Sequence, residues 1–420
     1  MWLRQVLLSL PIVLVCSTSA FAQEPPTLPK PAPFAPTDVI TRYTLGEALA
    51  IGHARHPQLA ALKASMNAAL MKQRGLDEVK RMAEIITPDL KYRQQQSDLG
   101  LKAAIAEYEQ AKHEVTFAVV RCYYTVVYAR EQSRVTRNFV DDLEDNLRRL
   151  KKIVEGKGGP KEINQNTVDK LVVAIGEARK RKILAETGTD RARAALREAM
   201  GLEPGVRVDA ADEVLPEIRA ELDRDTVIAH AITRRGEVML AQTGADVTRL
   251  EACAQWSRKL ALTAYTYAIA ADIHARPIPP SQRDPDYKPG AIGPEMPARL
   301  IGRNDTRSKT AAMYADRALS AAEQARSVIG LEAENAYYRW VEAVLNVKSS
   351  RESAAAGKKL IERLREAAGG TLTKEDVLIS EIAATQAQAS FNEALYEQIV
   401  QLANLERITA GGVKVNFPGR

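Results

Sequence analysis

Between Leu101 and Glu155 the chain contains neither glycine nor proline, and from Ala298 to Phe417 it contains no proline. Proline removes a backbone donor and clashes with the preceding turn, so spans this free of it are kept for long helices. At about 1.5 Å per residue, a helix running from Leu101 to Glu155 is a rod of roughly 80 Å. Aromatic residues make up only 5% of the 420, and Ala, Leu, Arg, Glu and Lys are plentiful. That composition stocks helices rather than strands and argues against a mostly-β enzyme.

The apolar spacing agrees. Val135, Phe139, Leu143, Leu147, Leu150 and Val154 recur at intervals of four and three, as do Leu395, Ile399, Leu402 and Leu405. Each stripe is narrow, with Asp141, Arg148 and Lys151 on the other faces. The pattern predicts helices packed as coiled coils.

The breaks are equally legible. Thirteen of the twenty prolines fall in Pro25–Pro36 and Pro277–Pro297, read as a linker and an extended loop. Gly156, Gly158, Gly159 and Pro160 stop one helix, and Asn166 with Asp169 has the spacing of a cap with an acid three residues on. Gly369, Gly370 and Thr371 stop another, and Thr373 with Asp376 repeats that spacing. Tyr123-Tyr124 and Tyr337-Tyr338 each end 32 residues before a glycine of these stops, Gly156 and Gly370. Ala48–Leu59 reads like Ile228–Val238, and Ala199-Met200-Gly201 mirrors Thr409-Ala410-Gly411. The expectation is a mainly α chain of two tandem repeats, 43–203 and 225–412. Residues 204–224 are read as the linker between them and 413–420 as a tail. Each repeat runs as a shorter helix, an interruption, a long helix, a glycine hairpin and a return helix.

No stretch of 18 apolar residues occurs, so a helical membrane span is not expected and only a β-type insertion would cross a bilayer. Residues 1–22 read as a secretory signal, with Arg4 as the positive region, Val6–Val15 as the apolar region and Ala20-Phe21-Ala22 as the cleavage site. Residues 23–42 follow as a Pro-rich linker. Bulky Val15 ahead of Cys16 argues against lipid attachment at that cysteine. Cys122 and Cys253 alone make no disulfide framework. The formal charge is +6, falling to +5 once Arg4 is removed, which is near balance. The basic run Arg179–Lys182 lies among helical acids without stacking aromatics, so it reads as a solvated helix face rather than a nucleic-acid site.

At this point the chain resembles the TolC-like outer-membrane efflux proteins. The residues are Tyr43-Thr44-Leu45-Gly46-Glu47-Ala48-Leu49 leading to His56-Pro57-Gln58-Leu59, the two Tyr-Tyr pairs, Thr373–Leu378, and Leu405–Thr409 closing on Ala410-Gly411-Gly412. The resemblance implies a homotrimer whose long helices form a periplasmic α-barrel and whose strands close a β-barrel in outer-membrane lipid. It also implies a periplasmic adaptor and an inner-membrane pump as partners, and constricting acids in the return turn, where Asp376 is the nearest match. The departure lies in the interruptions, where the family places a β-hairpin in each repeat. In 257–303 only Leu260–Ile269 alternates well, with a second strand around Ala298–Ile301. Ile85–Gln96 has room for one short strand. The β region is expected to be reduced.

No catalytic constellation, cofactor motif or metal site is expected. His53 and His56 are spaced for one helix face, but no Cys or carboxylate completes a shell. The glycines at 156–159 follow a helix rather than a strand, so they read as a hairpin and not a phosphate loop. The four paired tyrosines read as interhelical filler with a hydroxyl at the wet edge. Asp169, Glu375 and Asp376 are explained by helix-end electrostatics, and equally form a ring of gating carboxylates if three copies surround a pore. Two functions stay open: a passive export duct of a tripartite efflux or type I secretion system, and a periplasmic helical scaffold that has lost the pore. Glycines 156, 158, 159, 369 and 370 and Thr371 are the expected adaptor-docking hairpins of the duct.

Overall fold

Thr44 begins the first helix through a capping box: its Oγ1 accepts from the Glu47 amide at 3.3 Å, and Glu47 Oε2 accepts from the Thr44 amide at 2.8 Å. That helix, α1 (Leu45–Arg55), ends because Pro57 forces His56 into extended backbone; the same proline then opens α2 (Pro57–Asp77). The computed structural model describes residues 39–79, 87–155, 165–267, 296–367 and 374–420. Within them follow α3 (Leu90–Glu155) and α4 (Gln165–Ala199), then α5 (Arg224–Arg234), capped by Asp223 from the Thr226 amide at 2.9 Å. α6 (Gly236–Ser257), α7 (Asn304–Ala367) and α8 (Lys374–Ile408) complete the series.

The helix lengths run 11, 21, 66 and 35 residues and then 11, 22, 64 and 35. Both return helices also stop alike. The Leu202 amide reaches back to the Arg197 carbonyl at 3.1 Å around Gly201 (φ 66°), and the Gly411 amide reaches the Glu406 carbonyl at 2.9 Å around Ala410 (φ 46°).

Strands are few. β1 (Ile40–Tyr43) lies parallel to β2 (Arg207–Ala210), pairing Ile40 with Arg207 and Tyr43 with Ala210. β3 (Thr263–Tyr265) and β4 (Arg299–Ile301) are antiparallel, pairing Thr263 with Ile301 and Tyr265 with Arg299.

The helices pack as a row rather than a bundle. Toward the hairpin end the order is α4, α3, α8, α7; toward the β3–β4 end it is α2, α3, α6, α7. α3 and α7 run through both, and at 66 residues α3 is about 100 Å long. Where the two rows meet, one core joins them, with Leu45, Val119, Tyr123, Tyr124, Leu196 and Met200 from the first helices and Ile329, Ile399, Leu402 and Leu405 from the last. Glu332 sits between Arg235, which it pairs with, and Arg407 at 3.3 Å. Burial pushes that carboxyl up, but the two guanidiniums outweigh it and hold it below the ordinary value.

Several expected boundaries move. Residues 40–42, assigned to the Pro-rich linker, and 207–210, assigned to the inter-repeat linker, form β1 and β2, because each strand supplies the other's ladder hydrogen bonds. The tail is packed rather than free: Val413, Val415 and Phe417 are buried, and Arg420 clamps Glu406 with both nitrogens at 2.7 Å. The strand expected in Ile85–Gln96 is a helix from Leu90 onward; residues 80–86 lie outside the described segments.

Candidate functional site

The residues expected to gate a pore stand at the starts of the two return helices. α4 begins at Gln165, so Asn166 is inside the helix rather than capping it, and Asp169 lies exposed one turn in. α8 begins at Lys374, which puts the backbone of Glu375 and Asp376 in its first turn. The docking residues Gly156, Gly158, Gly159, Gly369, Gly370 and Thr371 lie outside the described residues. In the row, α3 stands between α4 and α8, so Asp169 and Asp376 belong to helices that are not neighbours.

The apolar stripes read from the sequence are covered within this chain. Leu143 and Leu150 pack on Val168, Leu171 and Ile175, while Ile399, Leu402 and Leu405 enter the central core. Among the apolar positions left uncovered are seams on the two helices at the ends of this row. α4 exposes Val172, Val173, Ile183 and Leu184, and open space lies where side chains at Gly176 and Gly188 would be. α7 exposes Leu331, Tyr338 and Leu345, seven residues apart, the period of a coiled-coil seam. The apolar stripes read from the sequence lie on α3 and α8, so periodicity gave no sign of the faces that α4 and α7 leave open.

The paired tyrosines are not equivalent. Tyr123 and Tyr124 are fully buried edge to face, with centroids 5.3 Å apart, and the Tyr123 hydroxyl accepts from the Asp212 amide at 3.3 Å. Burial pushes the Tyr123 phenol up to about 12. The Tyr124 hydroxyl is buried with no hydrogen-bond partner among the described residues. Tyr338, its counterpart in the other pair, is 52% exposed.

A charged cluster that sequence reasoning missed ties the helix ends together below β3 and β4. Arg93 on α3 grips Glu251 on α6 at 2.5 and 3.0 Å and Asp89 at 2.9 Å. Glu251 also accepts from the Tyr267 amide at 2.9 Å and from Gln255 at 2.8 Å. Burial raises the Glu251 carboxyl, but these donors bring it below its ordinary value. Arg307, fully buried on α7, donates to Gln255 Oε1 at 2.9 Å and to the carbonyls of Arg258 at 2.6 Å, Gly302 at 2.5 Å and Ala261. It closes the C-terminal end of α6 onto the loops that enter β3 and leave β4. Apart from Gly302, its partners lie about fifty residues upstream, beyond the reach of any local pattern.

Among the described residues no group of three or more His, Cys, Asp or Glu is placed to hold a metal. His56 sits at the break between α1 and α2, so it shares no helix face with His53, whose Nε2 lies 2.8 Å from Thr116 Oγ1. No helix among the described residues is long and apolar enough to cross a membrane.

No protein-family model matches the chain, and no curated protein does. Solved structures do match. A membrane protein from Pseudomonas aeruginosa superposes with a TM-score of 0.66 at 13% identity, covering 91% of this chain and 99% of that one. The outer-membrane channel OprN gives 0.66 at 14% identity, covering 88% and 90%. The Campylobacter jejuni outer-membrane channel CmeC gives 0.68 at 12%, covering 88% and 86%. The row of helices, crossed end to end by α3 and α7, is the fold of the TolC-family outer-membrane channels.

Proposed function

We propose that this protein is an outer-membrane export channel whose wall is a closed ring of copies of this chain. One observation carries the reading: the helices form a row, and the uncovered apolar seams lie on its two end helices, α4 and α7. Different surfaces at the two ends favour a head-to-tail contact, and such contacts close into rings when the rotation allows. The seam of α7 in one copy meets the seam of α4 in the next, and the ring encloses a duct. The similar solved structures, described as outer-membrane channels, support the same assignment, and we take the ring to be a trimer. Export is passive, energy comes from an inner-membrane pump, and an adaptor engages the hairpins at 156–159 and 369–371. Asp376, with Glu375, forms the narrowing at the hairpin end of the duct, and Asp169 contributes charge beside it.

Mass measurement on the detergent-solubilised protein, together with single-channel recording in planar bilayers, tests this reading. A trimer that conducts is expected, with Asp376→Ala raising conductance and weakening cation preference. Leu345→Asp and Ile183→Asp are expected to leave the chain folded and monomeric. A wild-type monomer would sink the ring. A trimer without conductance would favour the periplasmic scaffold.

A further inference from the structure

We propose that residues 413–420 form a latch across the start of α1, and that the latch opens when His53 and His113 take up protons. Four contacts close it. Arg420 grips the buried Glu406 of α8 with two nitrogens, each at 2.7 Å. The Gly419 carbonyl accepts from the Gly46 amide, in the first turn of α1, at 2.7 Å. Phe417 lies against the Tyr124 ring of α3 with centroids 5.9 Å apart, and the Val413 amide donates to Thr409 Oγ1 at 3.1 Å. The segment thus joins the first helix to the last across the central core.

Imidazoles border it. The His113 ring fills the space that a side chain at Gly411 would need, its Cε1 2.9 Å from that position, and the His230 ring does the same at Gly412, its Cγ at 2.7 Å. His53 is oriented from α3. The Thr116 hydroxyl donates its one hydrogen to the Lys112 carbonyl at 2.8 Å, so towards His53 it can only accept, and Nε2 of His53 carries the proton. A second proton goes to Nδ1. His53 faces Lys112 and His113 on α3 and Arg420 on the latch; His113 faces Glu109, Lys112 and Glu114 on its own helix and Glu406 on α8.

Charging either ring works against the clamp. A cation at His53 repels Arg420, and a cation at His113 competes for Glu406, the carboxylate that Arg420 holds. Burial holds both imidazoles below their ordinary value, with Lys112 and Arg420 adding to it at His53 and with Glu109 and Glu406 opposing it at His113. The open latch therefore takes up protons first. It stays closed above about pH 6.5 and loses its advantage as the pH falls below that. The opening is local, because the α3–α4 contact around Leu143, Leu171 and Ile175 contains no histidine. The latch also lies within one chain, so it stands apart from the ring of copies.

Hydrogen exchange of the full chain, read by mass spectrometry at pH 7.5 and 5.5 and corrected for the intrinsic rate, tests the latch. Peptides covering 44–52 and 411–420 should lose protection about threefold or more at pH 5.5, while peptides from 140–150 and 168–178 keep theirs. His53→Asn with His113→Gln should hold the latch peptides protected at pH 5.5. Arg420→Met should leave them unprotected at both pH values. Where the double variant does not fold, His113→Gln alone decides, and its loss at pH 5.5 should be smaller than the parent's. Equal loss in all four regions would mean that the whole chain opens and would overturn the latch. So would a loss unchanged by the histidine substitutions, or latch peptides that stay protected in Arg420→Met.

Discussion

The arm built from α3 and α4 and the arm built from α7 and α8 have nearly the same helix lengths and different chemistry at the contact. In the first, Val140, Leu143 and Leu150 interlock with Val168, Leu171, Ile175 and Ala178. In the second, beyond Val347, the buried apolar residues among those described are Ala384 and Ala394. The helices compensate by approaching closely. A Cβ added at Gly357 would lie 3.0 Å from Ala384 Cα and 3.1 Å from its Cβ. Burial of large side chains sets the cost of opening, so the described contacts of the first arm resist separation more than those described in the second. Equal geometry does not mean equal stiffness.

The sharpest test of that contrast is cavity formation. Leu143→Ala should cost about 2–5 kcal/mol in denaturant unfolding, whereas Ala384→Gly should cost about 1 kcal/mol, mostly helix propensity. Equal losses would erase the distinction between the arms. Overpacking probes the other side. Gly357→Val should cost about 1–3 kcal/mol by forcing α7 from α8, while Gly357→Ala stays near neutral because better propensity offsets a few tenths of an ångström of movement. If Gly357→Val were harmless, the close approach would not be what holds the second arm.

The tyrosine pairs extend the comparison. Tyr124→Phe removes a hydroxyl buried without a partner and should raise stability by about 1 kcal/mol; Tyr338→Phe, at an exposed ring, should change it by less than about 0.5 kcal/mol. Thermal unfolding of the two variants side by side decides it. The smallest effect is pH-dependent. Burial chiefly, with Lys112 and Arg420 beside it, holds His53 below its ordinary value, and burial lowers His113 against the pull of Glu109 and Glu406. The unfolded chain therefore takes up these protons first. Stability is full above about pH 6.5 and falls as the pH drops from there. A melting temperature lower at about pH 5.5 than at 7.5, with the difference reduced in His53→Asn with His113→Gln, is the expected outcome.

Long helices were legible because their signals are local: a missing proline, a repeating leucine, a glycine at a stop. The matching helix ends near Gly201 and Gly411 were legible for the same reason, although the stop sets Ala410 rather than Gly411 opposite Gly201. Ile85–Gln96 misled because its interruption looked long enough for a strand, yet Arg93 and Gln96 are drawn into α3 by Glu251 and the Val247 carbonyl, more than 150 residues away. β1 and β2 escaped notice because each is four residues long and is a strand only by virtue of the other. At the candidate site, Asp376 was legible as a first-turn residue. The exposed seams of α4 and α7 were not, since exposure depends on which helices end the row.

A wall one helix thick also restricts how such a chain can change in length. One residue inserted into α3 rotates everything beyond it by about 100°, exchanging the faces that touch α4 and α8 with those open to either side. Substitutions on the open faces are tolerated one at a time. Insertions and deletions are not, except in blocks near seven residues that restore the register, and then only if α4, α7 and α8 lengthen with α3. Natural length variants of this architecture should therefore differ by paired heptads placed symmetrically about the helix turns.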